Sequence, residues 1–147
     1  MSEPVVPQPT PEGLSALRFM VGRWRVEGVQ HGAPVRGLTV VQPMLEGSFL
    51  VSRETLLQPD GGVDYEDLCL YCFNAAEADL EVHHFMAPGV HESHKVLPLE
   101  GGGGFHWVPR RSLATIVRIY TGQPWRVEVW HHDAPEPEVV LRYYPAS

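Results

Sequence analysis

Phe19-Met-Val-Gly-Arg-Trp-Arg-Val-Glu-Gly28 is the stretch whose reading decides the fold, because an apolar helix end runs through Gly22-Arg-Trp24 into an extended segment. Side chains on a strand alternate between faces, so Trp24, Val26 and Gly28 point one way and Arg23, Arg25 and Glu27 the other. Trp24 is therefore expected inside. Upstream, Leu14, Leu17 and Val21 recur at helical spacing, with Thr10 suited to the N-cap, Pro11 to the first turn and Gly22 to the stop. This predicts a short N-terminal helix that would plug one mouth of a barrel. Residues 1–10, with Pro4, Pro7 and Pro9, read as an extended arm, and 11–147 as a single β-barrel domain.

Working outward, strand candidates arrive at intervals of roughly a dozen residues, the rhythm of an antiparallel meander rather than of βαβ units. They cover 22–30, 35–45, 47–58, 63–74, 79–87, 90–98, 104–110, 113–121, 125–132 and 137–144. Turn signals separate them, among them His31-Gly-Ala-Pro34, Pro59-Asp-Gly-Gly62, Pro88-Gly89 and Thr121-Gly-Gln-Pro124. An open sheet of such strands leaves two exposed edges, so the expected fold is all-β, a roughly ten-stranded antiparallel up-and-down barrel, with a two-sheet sandwich as the alternative.

The charge balance excludes some partners. Eleven Lys and Arg stand against eighteen Asp and Glu, a formal charge of −7, which opposes nucleic-acid backbones and anionic membranes. The apolar runs are far shorter than a bilayer span, and Met1 to Pro11 lacks the basic and apolar regions of a signal peptide, so the chain reads as cytoplasmic. Cys69 and Cys72 are the only cysteines; three apart on a strand, they face opposite ways, beyond disulfide reach.

The succession of helix, Gly-x-Trp and Glu46-Gly-Ser-Phe-Leu-Val51, followed only by short strands, resembles the calycin superfamily of lipocalins, fatty-acid-binding proteins and their relatives. It is most similar to the uncharacterised bacterial family DUF1579. The resemblance implies a barrel with an interior. Fatty-acid-binding proteins hold a carboxylate with an Arg-x-Tyr on the last strand and a second arginine two strands earlier. Arg142-Tyr-Tyr144 and Arg118-Ile-Tyr120 are similar, and a guanidinium with a phenol beside it suits an anion. The competing reading is lipocalin-like, with Arg142 stacked on Trp24. Nitrobindin-like haem proteins begin with a similar Gly-x-Trp motif; here Val26 replaces its middle glycine, and His84, His94, His131 and His132 would be the candidate axial ligands.

Other polar residues stand at apolar positions. Arg53 shares a face with Phe49 and Val51, Glu54 shares one with Leu50 and Ser52, and Tyr65, Asp67, Cys69, Tyr71 and Phe73 share another. An Asp67–Arg53 pair inside the barrel is one expectation, a solvated outer face the other. His91 and His94 cannot chelate one ion from a regular strand, whereas His84, Glu92 and His94 could converge from 79–87 and 90–98. No metal or cofactor is expected. The Gly101 to Gly104 run lies between strands and reads as a turn, not a phosphate loop.

Three functions fit. The leading expectation is a barrel binding a small lipophilic, amphipathic or weakly anionic molecule, with Trp24, Arg53, His84, Arg118, Tyr120, Arg142 and Tyr144 as its site, since no catalytic motif stands out. The second is a calycin-type lyase or isomerase using Glu54, Asp67, His84 and Arg53. The third is an interaction protein with a filled barrel that forms a homodimer.

Overall fold

Each turn signal ends a strand, and ten strands result: β1 Gly22–Gln30, β2 Ala33–Met44, β3 Phe49–Leu57, β4 Val63–Asn74, β5 Asp79–Met86, β6 Val90–Pro98, β7 Gly104–Pro109, β8 Thr115–Tyr120, β9 Trp125–His131 and β10 Val139–Pro145. The structure, a computed structural model, describes residues 14–109 and 115–146. Neighbours in sequence are neighbours in space, all pairs are antiparallel, and β1 returns to β10 to close the barrel. The closure excludes the sandwich, because every strand here has two hydrogen-bonded partners.

The expected N-terminal helix is corrected. Within the described residues it is α-helical only at Leu14 and Ser15, followed by a turn and a 3-10 helix of three residues, Arg18–Met20. Thr10, Pro11 and the arm at 1–10 lie outside the described residues. The segment still does the expected packing: Leu14, Leu17 and Met20 are buried in the core, and Phe19 stacks on Phe105 at 6.4 Å and meets Trp125 edge-on at 5.8 Å. Trp24 Nε1–H donates to the Met20 carbonyl at 2.6 Å, tying this segment to β1. The positive φ of Gly22, 141°, makes the entry into the strand, a conformation that a side chain would oppose.

Strand parity separates inside from outside. Val26 on β1, Val41 on β2, Leu50 and Leu56 on β3, Val82 on β5, Ile119 on β8, and Leu141 and Tyr143 on β10 are buried in one core. The partly buried Trp24 joins it and meets Trp125 edge-on at 5.6 Å, while Trp125 lies flat on Tyr143 with ring centroids 3.8 Å apart. Such aromatic pairs add to the area they bury. No helix among the described residues is long and apolar enough to cross a membrane.

Two strand glycines permit the backbones to curve around this core. A Cβ at Gly28 would sit 2.0 Å from the Val140 carbonyl oxygen, and one at Gly37 1.9 Å from that of Thr55. Both obstacles are backbone, so neither can swing away. Gly28→Val is expected to cost about 2 kcal/mol or more through overpacking. Urea unfolding followed by tryptophan fluorescence measures this; an unchanged midpoint would show that the strands separate more easily than this packing implies.

Candidate functional site

The closed sheet encloses a cavity of about 380 Å³. Its two walls differ in chemistry. Val117, Val127, Val129, Val139 and Leu141 of β8–β10 make an apolar wall, and Glu54, Tyr65, Asp67, His84, Glu92 and His94 of β3–β6 a polar one. No Arg or Lys is among the described residues that line it.

Glu54 reaches the interior because β3 presents Leu50, Glu54 and Leu56 inward. Its Oε1 accepts from the Thr39 hydroxyl at 2.8 Å and from the Tyr143 phenol, bonds from β2 and β10 on opposite sides of the closure. Burial, with a smaller contribution from the charge of Asp67, pushes the Glu54 carboxyl up to about 7, although the two donated hydrogen bonds oppose the shift. A carboxyl that titrates there can give or accept a proton at neutral pH. Burial and the same carboxylates also raise the Tyr143 and Tyr71 phenols and the Cys69 thiol, which keeps all three protonated.

On the neighbouring strand, opposite Glu54, Asp67 Oδ2 accepts from the Tyr65 hydroxyl at 2.7 Å and pairs with His84 Nε2 at 2.7 Å. Tyr65 Oη and His84 Nε2 are 2.9 Å apart, closing a triangle. An ionised carboxylate can only accept, so this geometry assigns the imidazole proton to Nε2. The remaining pair lies on β6: Glu92 stands opposite His84 in register, and His94 Nε2 is 3.4 Å from Glu92 Oε2. Burial pushes the His94 imidazole down from its ordinary value, with Glu92 opposing, so it is held neutral. Trp107 backs both histidines, with ring centroids 5.2 Å from His84 and 5.3 Å from His94.

Of the seven residues that the sequence nominated for the site, two lie on the inner face: Trp24 in the aromatic cluster and His84 in the cavity wall. The other five are corrected. Inward positions on β10 are Val139, Leu141 and Tyr143, so Arg142 is exposed and Tyr144 faces outward, where Arg25 lies over its ring at 4.8 Å. Arg142 neither faces the cavity nor stacks on Trp24. On β8 the cavity takes Val117 and Ile119, leaving Arg118 outside over Trp130 and Tyr120 outside under Arg126. Arg53 is exposed in an outer groove with Arg23, Arg25 and Arg36, so it cannot pair with Asp67 inside. One physical reason covers all five: antiparallel partners share a face, and Val26 inside puts its partner Tyr143 inside, with the alternate residues outside.

The expected convergence of His84, Glu92 and His94 is present, their ligand atoms all within 4.8 Å of one another. Glu54 and Asp67 were nominated as catalytic groups and both line the cavity, but Thr39, Tyr65 and Tyr143, which hold them, were not. The only signal for Tyr143 was the more apolar parity of Val139, Leu141 and Tyr143 over Val140, Arg142 and Tyr144. His131 is exposed and paired with Glu138 at 2.7 Å, and His132 is exposed next to Asp133, so neither faces the polar wall. Cys69 is buried in the wall and Cys72 lies on the other face, where its thiol donates to Glu81 Oε1 at 3.7 Å; the two cysteines are not joined in a disulfide. No protein-family model matches the chain, and no curated protein matches it.

The raised Glu54 carboxyl has a consequence for stability. Folding holds its proton more tightly than the unfolded chain does, so between about 4.5 and about 7 the native state binds more protons and stability falls as pH rises. Glu54→Gln keeps an oxygen for Thr39 and Tyr143 but cannot ionise. It is expected to flatten that part of the profile and to be more stable than the parent above pH 7 by about 1–3 kcal/mol. Parallel pH profiles of denaturant midpoints test this; identical slopes for the two proteins would place the carboxyl's titration elsewhere.

Proposed function

We propose that the protein is a calycin-like binding barrel, similar to the DUF1579 family, that holds one small, largely apolar molecule in its interior, and that this molecule is neutral or basic. The observation that carries this reading is the two-walled cavity: about 380 Å³ lies within the range of small-molecule sites, with apolar side chains opposite a row of carboxyl, phenol and imidazole groups. A ligand with a hydrocarbon body and a hydrogen-bond donor on one edge would satisfy both walls. The weakly anionic ligand loses its support, because Arg118 and Arg142 lie outside and a carboxylate would meet Glu54, Asp67 and Glu92. The haem alternative has the same difficulty, since its propionates would find no Arg or Lys among the described lining residues.

Native mass spectrometry of the protein from its own host is expected to show a co-purifying mass. With chelator present, the neutral amine probe N-phenyl-1-naphthylamine should bind at least tenfold more tightly than an anionic fatty-acid probe. Val129→Trp, which fills the apolar wall, should abolish uptake, and Arg142→Ala should leave it unchanged. Tighter binding of the anion, or uptake indifferent to Val129→Trp, removes the proposal.

A second reading is favoured by one observation, the Glu54 carboxyl titrating near 7 beside the Asp67–His84 pair. A carboxyl able to exchange its proton near neutral pH, next to a carboxylate–imidazole pair in one cavity, suits a lyase or isomerase that moves a proton on a bound molecule. In D₂O such a protein would exchange an acidic C–H of the co-purifying molecule, and Glu54→Gln would bind that molecule but slow exchange by at least a hundredfold. Exchange no faster than in buffer leaves binding alone.

A further inference from the structure

The inner face of β5 and β6 carries a group that neither ligand binding nor proton transfer uses in full. His84 stands directly opposite Glu92, and His94 lies two residues along β6 on the same face. Their donor atoms lie within 4.8 Å of one another, and all three residues line the cavity. His94 is 5% exposed, yet its Nδ1 has no hydrogen-bond partner among the described residues. Its Nε2 has a contact of only 3.4 Å with Glu92. A buried imidazole with one long contact and one unmet nitrogen is costly unless something else meets it. Asp67 fixes the neighbouring imidazole through His84 Nε2 at 2.7 Å, the support that metal-binding histidines ordinarily receive from a carboxylate.

We infer that His84, Glu92 and His94 form a site for one divalent transition-metal ion, with Asp67 as the positioning residue and the cavity supplying the open coordination position. Two imidazoles and one carboxylate are a borderline donor set that suits Zn²⁺ and its first-row neighbours and disfavours Ca²⁺ and Mg²⁺, which prefer oxygen. Three protein ligands leave one position of a tetrahedral site free, and here that position belongs to whatever occupies the cavity. Two other groups compete, and the members of both are engaged. In Asp67, Cys69 and His84 the carboxylate already accepts from Tyr65 and meets His84, and burial keeps the Cys69 thiol protonated. In the outer-face group of Cys72, Glu81 and His83, Glu81 accepts from Asn74 at 3.3 Å and pairs with His83 at 3.1 Å, while Ser93 meets the other nitrogen of His83.

The test starts from full-length protein stripped with chelator, equilibrated with Zn²⁺, dialysed and analysed for zinc. About one zinc per chain is expected, and Co²⁺ in its place should give the visible bands of a four-coordinate site. Glu92→Gln, at a side chain about a third exposed, removes a ligand with little loss of packing, and should weaken Zn²⁺ at least a hundredfold. His94→Gln should do the same, while His83→Ala on the outer face should bind as the parent does. Circular dichroism in chelator shows whether each variant is folded. Zinc retained by folded Glu92→Gln and lost from His83→Ala would move the site to the outer face and overturn the inference. Failure of the parent to hold zinc through dialysis would overturn it as well.

Discussion

The pairing of β1 with β10 is the constraint on which the rest of the structure depends. Without it the sheet has two edges whose unpaired backbone groups must be covered or solvated; with it every strand has two partners and an interior exists. Closure also fixes parity around the whole ring, because a shift of one residue in any register would exchange the inner and outer faces of a strand. Val26 facing Tyr143, and Val26 facing Gly37 on its other side, therefore decide indirectly that Glu54 and His84 are inside and that Arg53 and Arg142 are outside. The aromatic cluster of Phe19, Trp24, Trp125 and Tyr143 draws on the N-terminal segment, β1, β9 and β10, so it reinforces the same closure.

The contents of the interior are not those that stability alone would select. A buried carboxyl is costly even when hydrogen-bonded, and substituting well-packed apolar residues for buried charged groups is often neutral or stabilising. Here Glu54, Asp67, His84 and His94 occupy one side of a barrel whose other side is valine and leucine. The hydrogen bonds from Thr39, Tyr143 and Tyr65 offset part of the cost, and protonation of Glu54 near neutral pH removes more. What remains is a cavity rather than a filled core, which weighs against the reading in which side chains fill the barrel and association is its only activity.

The sequence carried the fold more fully than the site. Strand positions were legible because turn residues such as Pro59-Asp-Gly-Gly62 and Pro88-Gly89 punctuate the chain and the strands between them are rich in Val, Leu and aromatics. In the described part of the N-terminal segment the α-helix does not continue past Ser15, and a turn with a 3-10 helix carries Leu17 and Met20 into the core instead. Helical spacing of apolar residues reports which side chains must be buried, which a short turn accomplishes as well. At the site, alternation told which residues share a face but not which face is inner. For β10 the choice between Val139-Leu141-Tyr143 and Val140-Arg142-Tyr144 turned on one arginine, and a resemblance to fatty-acid-binding proteins favoured the wrong side. Registers join residues distant in sequence, such as Thr39, Glu54 and Tyr143, and no local pattern reports them. The exception was His84, Glu92 and His94, where a short hairpin fixes the register between adjacent strands and local reasoning sufficed.

The two proposals for the cavity bear on each other through charge. In the metal-free barrel the polar wall, with Glu54, Asp67 and Glu92, would favour ligands able to donate hydrogen bonds and disfavour anions. A divalent ion held by His84, Glu92 and His94 would be the largest charge in the cavity and would reverse that preference locally, since a bound cation inverts the electrostatics of the groups around it. An anion or an ionised water could then occupy the open position, and Glu54, pushed up to about 7 by burial and by Asp67, would ionise more readily in the field of the cation. On these two proposals the preference of the cavity for neutral, basic or anionic molecules would depend on whether an ion occupies its polar wall, and the same scaffold of β3–β6 would serve either chemistry without any change in fold.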